Sequence, residues 1–300
     1  MRTIKTSYNI DKLRLCYKQP KETFDYFAQF APNTHIPFMD YTIHVIGDDL
    51  GEEENPLTIN SIIYFDNGTK LGELKLNNSK KYEGYAFFNF ENRALYEFLT
   101  RDVCNGNKYN LIPCIDTIAD ELNLTLNNIT EIEVSCDTTV NVNRKIRRLI
   151  KDYNGYEMIK NGKRVADENR LIEDYHETFS RPRKRLSRQP TLYIGQAKAD
   201  SPMMRIYNKS DEIAEESNKD YITDWNGFGN TDIHRIEVRL KNEALKEYLK
   251  SKDYEVPLIY MLDDMSFKED LWRTFSNRLL YFKDKDGNRI TMYDLANGLC

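Results

Sequence analysis

The fold class follows from the stretch Met204-Arg205-Ile206-Tyr207-Asn208-Lys209, in which apolar and polar side chains alternate. Two other stretches have the same period, namely Glu131-Ile132-Glu133-Val134-Ser135-Cys136-Asp137 and Arg235-Ile236-Glu237-Val238-Arg239-Leu240. Because a strand directs successive side chains to opposite faces, each stretch predicts a strand with one apolar face and one face of ionisable groups. Such strands are typical of an antiparallel sheet that packs one face on a core.

Short runs rich in Ile, Tyr and Phe, separated by Gly, Asn and Asp, predict further strands. They cover residues 11–17, 40–46, 57–65, 70–76, 85–90 and 191–194, with a hairpin turn at Asn67-Gly68. Helical patterns cover residues 91–101, 116–122, 142–152, 167–179, 242–249 and 267–282. This mixed order predicts an α+β fold with a mainly antiparallel sheet and helices on its apolar face, rather than a doubly wound sheet.

The composition excludes a membrane span, because 30% of the residues are charged and no apolar run reaches about 18 residues. The first six residues lack the apolar stretch of a signal peptide. The five cysteines are scattered and include no CxxC pair, a pattern typical of reduced thiols. We therefore expect a soluble protein of the cytoplasm.

Positive charge is concentrated in one part of an acidic chain. The net charge is -5, yet residues 144–188 contain fourteen Lys and Arg against seven Asp and Glu. The densest part, residues 180–190, contains two prolines and predicts an exposed loop. The cations that we expect to contact DNA phosphates are Arg144, Lys145, Arg147, Arg148, Arg181, Arg183, Lys184, Arg185 and Arg188. An ordinary solvated loop is the alternative interpretation of this segment.

The ionisable face of the three alternating strands has two interpretations. Alternating charges are normal on a sheet face that only meets solvent. In a working site, the carboxylates would hold a hard divalent cation and the tyrosine would act as a nucleophile on a phosphodiester. Arginines and lysines would then stabilise the charge that develops on the phosphorus. Periodicity alone leaves both interpretations open.

The segment from Tyr193-Ile194-Gly195-Gln196 to Met204–Lys209 resembles the signature of the replication initiation factor family, the trans-acting Rep proteins of rolling-circle plasmids. Other landmarks follow the order of the family. They are Ile10-Asp11-Lys12-Leu13, the stretch from Thr130 to Asp137, and Arg235-Ile236-Glu237-Val238-Arg239-Leu240-Lys241. The resemblance covers roughly residues 10–241 and implies that the ionisable sheet face is the one that meets DNA.

The resemblance implies a role for each matching residue. Tyr207 matches the nicking tyrosine, while Arg205 and Lys209 would assist its chemistry. Acidic positions that bind Mg²⁺ or Mn²⁺ match Glu133, Asp137 and Glu237, and the ion would be held by Glu237 together with Glu133, Asp137 or both. Two positions depart from the family: Glu133 stands where Asp is usual, and Glu131 stands where Arg is common.

A member of this family nicks one strand at a plasmid origin. The nick lies in a single-stranded part of an origin hairpin and leaves a 5′-phosphotyrosyl intermediate and a 3′-OH primer. The resemblance implies a homodimer, a recruited host helicase and a host polymerase. The sequence contains no GxxxxGK[ST] motif, which agrees with the need for a separate helicase.

Three other functions remain open from the sequence. A relaxase of a mobilisable or integrative element would share this chemistry, whereas a DNA-binding regulator would keep the fold without the activity. A plain anion-binding protein is the third. For the domains, we expect a nicking and joining domain over residues 1–241, divisible near residues 110–130, and a mainly helical extension over residues 242–300.

Overall fold

The computed structural model describes residues 3–38, 41–50, 56–65, 68–98, 111–167, 191–195, 200–216, 219–254 and 258–299. In these ranges the strands are β1 (Thr6–Lys18), β2 (His35–Pro37), β3 (Tyr41–Leu50), β4 (Pro56–Phe65), β5 (Lys70–Asn77), β6 (Tyr85–Phe90), β7 (Thr125–Thr138), β8 (Glu157–Lys160), β9 (Lys163–Arg164), β10 (Leu192–Ile194), β11 (Met203–Asn208), β12 (His234–Lys241), β13 (Leu280–Lys283) and β14 (Arg289–Thr291). The α-helices are α1 (Lys21–Phe27), α2 (Asn92–Phe98), α3 (Leu111–Glu121), α4 (Val142–Lys151), α5 (Lys209–Glu216), α6 (Tyr221–Asn226), α7 (Asn242–Lys252), α8 (Met265–Leu279) and α9 (Met292–Ala296). A short 3-10 helix covers Leu258–Met261.

Two sheets organise these elements. The larger sheet has ten strands in the order β10-β11-β12-β7-β1-β6-β5-β4-β3-β2, and the smaller has the order β14-β13-β8-β9. Neighbouring pairs such as β10–β11, β11–β12, β1–β6 and β4–β5 are antiparallel. The predicted α+β class with a mainly antiparallel sheet is therefore confirmed.

The chain divides into two compact units. Residues 10–132 and 254–263 form the first of these, and residues 1–9, 133–253 and 264–300 form the second, which we call the Tyr207 unit. In the first unit, hairpins connect β3 with β4, β4 with β5 and β5 with β6. Ile43, Ile63, Leu74 and Phe88 fill the core of this unit.

The apolar face of the sheet in the Tyr207 unit packs on helices. Helices α4 and α8 both contact β11 and β12. Trp272 of α8 is fully buried and donates from Nε1 to the carbonyl oxygen of Ile236 at 3.0 Å. On α4, the amide of Asn143 donates to the carbonyl oxygen of Ile206 at 3.4 Å. These buried polar side chains attach the helices to the strands that position the functional site.

Most of the predicted elements are present, and their observed ends lie within five residues of the predicted ends. The helix predicted over 267–282 is wrong at its C-terminal end, because α8 ends at Leu279 and β13 follows at once. Along β13, Leu280 and Phe282 are buried between β8 and β14, whereas Tyr281 and Lys283 are partly exposed. Strand pairing therefore overrides the helical pattern. The predicted helix over 167–179 and loop over 180–190 lie almost entirely outside the described residues.

The region predicted as a mainly helical extension contains α7, α8 and α9 together with β13 and β14. No helix among the described residues is both long enough and apolar enough to cross a membrane.

Candidate functional site

The pairing of β11 with β12 brings the predicted site residues onto one face. Arg205 stands directly opposite Glu237, and Tyr207 stands opposite Arg235. Residues directly opposite each other in an antiparallel pair extend their side chains to the same side of the sheet. The face that carries these four residues is called the polar face below.

Glu237 is the centre of this face. Its exposure is 1%, and the hydroxyl of Tyr207 donates to its Oε2 at 3.1 Å. Arg205 donates to the other oxygen, Oε1, from Nε at 2.8 Å and also from Nη2. The tyrosine hydroxyl and the guanidinium are therefore held on the two oxygens of one buried carboxylate.

A second buried carboxylate, Glu133 on β7, joins the same group. Nη2 of Arg205 lies 3.4 Å from its Oε2, so that one guanidinium bridges Glu133 and Glu237. The pKa of Arg205 is raised, because the charges of Glu237, Tyr207 and Glu133 outweigh the lowering effect of burial. Arg205 is therefore a permanent cation at this position.

Two carboxylates, those of Glu133 and Glu237, could hold a metal ion. An oxygen of each lies within 4.8 Å of an oxygen of the other. Both donors are carboxylate oxygens, which suit hard cations such as Mg²⁺ and Mn²⁺.

Asp137 is not among these ligands. Its two oxygens, Oδ1 and Oδ2, accept from Nε and Nη2 of Arg235 at 2.6 and 2.7 Å, and both side chains are fully buried. Asn226 of α6 donates to Oδ2 at 2.8 Å. The predicted ligand Asp137 thus forms a buried ion pair with Arg235 rather than joining Glu133 and Glu237.

Helix α6 covers the part of the polar face around Asp137. Beside Asn226, the indole Nε1 of Trp225 donates to Oδ1 of Asn9 at 2.9 Å. The helix ends at Gly227, whose φ of 60° is a left-handed conformation that suits glycine. The part that α6 covers is therefore structural, while Tyr207 and Arg205 are partly exposed.

Lys209 lies close to Tyr207 but is bonded elsewhere. Its Nζ is 2.5 Å from Glu212 and 5.8 Å from the centre of the Tyr207 ring, and the residue is 1% exposed. Asn208 lies between Tyr207 and Lys209 in the sequence, and its side chain accepts from the backbone N–H groups of Ser210 and Asp211. Lys209 therefore contributes a buried positive charge near the ring of Tyr207.

The predicted DNA-contacting cations of α4 are not brought together with Tyr207. The apolar side of α4 is buried and contacts β11 and β12, so the helix lies on the apolar face of the sheet. Arg144 and Arg148 are exposed there, whereas Lys145 and Arg147 are half-buried. The other predicted contacts lie outside the described residues, namely Arg181, Arg183, Lys184, Arg185 and Arg188.

Sequence reasoning missed Arg235, which stands opposite Tyr207 and forms an ion pair with Asp137. The available signal was its place on the ionisable face of the strand predicted over residues 235–240.

No family model and no curated protein matches this sequence. Among solved structures, the chain is similar to the rolling circle replication initiator protein from Geobacillus stearothermophilus. The TM-score is 0.44 and the sequence identity is 11%, over 93% of this chain and 88% of that one.

Proposed function

We propose that this protein is a rolling-circle replication initiator that nicks one DNA strand at an origin and later rejoins it. The observation that carries the proposal is the hydrogen bond from the Tyr207 hydroxyl to Glu237, in a group that also contains Arg205 and a second carboxylate. A nucleophile, a fixed cation and an oxygen-ligand set are the parts that phosphodiester transfer needs.

In the proposed reaction, the phenolate oxygen of Tyr207 attacks the scissile phosphorus. A phosphotyrosyl ester forms on the 5′ side, and the bond from phosphorus to the 3′ oxygen breaks. That oxygen takes up a proton and becomes the 3′-OH primer, while the phenol proton is lost to the carboxylate group or to water. The ester retains the phosphodiester linkage, so the strand can be rejoined without ATP.

The protein residues have distinct roles in this reaction. Glu133 and Glu237 would hold Mg²⁺ or Mn²⁺, which would polarise the phosphate when bound. Arg205 would stabilise the negative charge on the pentavalent phosphorus, and the buried charge of Lys209 would support it. The ion pair of Asp137 with Arg235 would hold the neighbouring part of the face rigid.

DNA contacts, assembly and cellular partners belong to the same proposal. Arg144 and Arg148 expose two cations one helical turn apart, a spacing that suits a phosphate backbone. A homodimer acting with a host helicase and a host polymerase at a plasmid origin completes the proposal.

The test mixes purified protein and Mn²⁺ with single-stranded oligonucleotides from its own replicon, labelled at the 3′ end. We expect a protein–DNA adduct on a denaturing gel that is absent with Tyr207→Phe. Tyr193→Phe is the matched control, because Tyr193 stands opposite Arg205 on β10, next to the site. An adduct that survives Tyr207→Phe but not Tyr193→Phe would assign the nucleophile to Tyr193 and overturn the proposal for Tyr207.

The same experiment separates the alternatives. Tight DNA binding with no adduct on any replicon sequence would favour a DNA-binding regulator. A Tyr207-dependent adduct with an oligonucleotide from a transfer origin, but not from a replication origin, would favour a relaxase. The genes beside this one, with either an origin hairpin or a transfer operon, provide an independent check.

A further inference from the structure

The guanidinium of Arg205 is bonded to the same two carboxylates that could hold a divalent cation. It donates twice to Oε1 of Glu237 and lies 3.4 Å from Oε2 of Glu133. The other oxygen of Glu237 accepts from Tyr207 at 3.1 Å. Every oxygen of Glu237 is therefore already bonded to a side chain of the site.

The geometry points to an exchange in which Arg205 and a divalent cation occupy Glu133 and Glu237 in turn. This inference rests on the proposed function and assigns Arg205 a second role. Without the cation, Arg205 holds the carboxylates together as an internal counter-ion. With the cation bound, Arg205 is displaced and becomes available to the DNA phosphate.

The exchange follows from the charges. The carboxylates of Glu133 and Glu237 are buried beside each other, and two like charges so placed repel unless a positive charge lies between them. A divalent cation on Oε1 of Glu237 would lie against the guanidinium already bonded there, and the two positive charges would repel in turn. Because Arg205 cannot lose its proton, it has to move.

Exposure decides which arginine of the polar face is able to move. The side chain of Arg205 is 32% exposed, so its guanidinium has a path toward solvent. Arg235 is fully buried and bonded to Asp137 through two nitrogen atoms. The carbon Cζ of Arg205 is also only 5.9 Å from the centre of the Tyr207 ring. A displaced Arg205 therefore stays beside the nucleophile, where a guanidinium pairs well with phosphate oxygens.

The experiment measures Mn²⁺ binding to the full-length chain by titration calorimetry at low ionic strength, without DNA. Arg205→Gln removes the competing cation, so we expect the Kd for Mn²⁺ to fall about tenfold, the factor that one hydrogen bond between charged groups contributes. Arg278→Gln is the matched control, because Arg278 forms an exposed ion pair with Glu247 and the variant has the same net charge. We expect its Kd to stay within about twofold of the wild-type value, as for other exposed pairs.

Glu237→Gln separates a failure of this inference from a failure of the metal site. If Glu237→Gln abolishes Mn²⁺ binding while Arg205→Gln binds Mn²⁺ no more tightly than the wild type, the exchange is refuted and the metal site stands. If neither the wild type nor Arg205→Gln binds Mn²⁺, or if Glu237→Gln binds it normally, both the site and the exchange are refuted. The adduct assay with Tyr207→Phe tests the nucleophile independently of these results.

Discussion

Two acid–arginine pairs lie close together on the polar face and differ in their surroundings. Asp137 and Arg235 are fully buried, whereas Arg205 is partly exposed beside Glu237. Removing one partner of a buried pair leaves an uncompensated charge, which is far more costly than breaking an exposed pair. We therefore expect the first pair to matter for stability and the second, in which Arg205 reaches solvent, to take part in the proposed chemistry.

Asp137→Asn should lower the free energy of unfolding by about 3–5 kcal/mol, because the buried Arg235 would lose the charged carboxylate that accepts from its Nε and Nη2. Urea denaturation followed by circular dichroism measures the change. Glu247→Gln, which breaks the exposed pair with Arg278, should cost less than about 1 kcal/mol and is the control. A cost for Asp137→Asn as small as that of the control would show that this ion pair does not stabilise the protein.

His234 gives the stability of the protein a dependence on pH. Burial lowers the pKa of its imidazole below 6.5, against the opposing effect of Asp232 and Asp211. The unfolded chain therefore binds a proton at a higher pH than the folded chain, so His234 makes stability decline as the pH falls below 6.5.

We expect His234→Gln to show a smaller decrease in melting temperature below pH 6.5 than the wild type. Thermal unfolding over a pH series measures this slope. His35→Gln is the control, because it removes one imidazole from an exposed position on β2. Parallel slopes for His234→Gln and the wild type would exclude His234 as the source.

At the level of elements, alternation predicted β7, β11 and β12 because the apolar side chains at alternate positions of each strand are buried. The same alternation predicts from the sequence alone that Arg205, Tyr207 and Glu237 lie on the ionisable face of the sheet. The hydrogen bond from Asn226 to Asp137 could not be predicted, because it depends on α6. That helix has only six residues, which is too short for a periodic pattern. The second sheet was missed because β8, β9, β13 and β14 are only two to four residues long.

The end of β10 depends on Gly195. Its φ is 93°, and an added Cβ would lie 2.9 Å from the carbonyl oxygen of Pro202. Gly195→Ala should therefore lower the free energy of unfolding by about 1–3 kcal/mol, the cost of a strained backbone residue.

Denaturation measures the effect, with Gly47→Ala as the control, since a Cβ on Gly47 meets nothing within 4 Å. A change of less than about 0.5 kcal/mol is expected there, as at other surface positions. Equal stabilities for the two variants would show that the backbone at Gly195 is free to relax.

Across the whole molecule, the two faces of the sheet in the Tyr207 unit carry different charges and different helices. The polar face carries the carboxylate group with Tyr207, and α4 on the apolar face exposes Arg144 and Arg148. The chain as a whole has a net charge of -5, so the proposed DNA affinity would have to come from local cations rather than from the average charge.

The double variant Arg144→Gln/Arg148→Gln should weaken binding to duplex DNA. It should also reduce the slope of log K against log salt by about 0.9 for each phosphate that the variant no longer neutralises. Its affinity for Mn²⁺ should stay within about twofold of the wild-type value, because exposed charges act weakly at a distance. Fluorescence anisotropy at several salt concentrations measures the slope. An unchanged slope would remove α4 from the DNA-binding surface.

The register of β11 against β12 also limits which mutations a gene for this protein can accumulate. One inserted or deleted residue within Met203–Asn208 would turn Tyr207 toward the helices and expose the buried neighbours Ile206 and Met204. A change of length between the strands leaves their alternation intact. Among natural variants, we therefore expect β11 and β12 to keep a constant length while the segments that connect them lengthen and shorten.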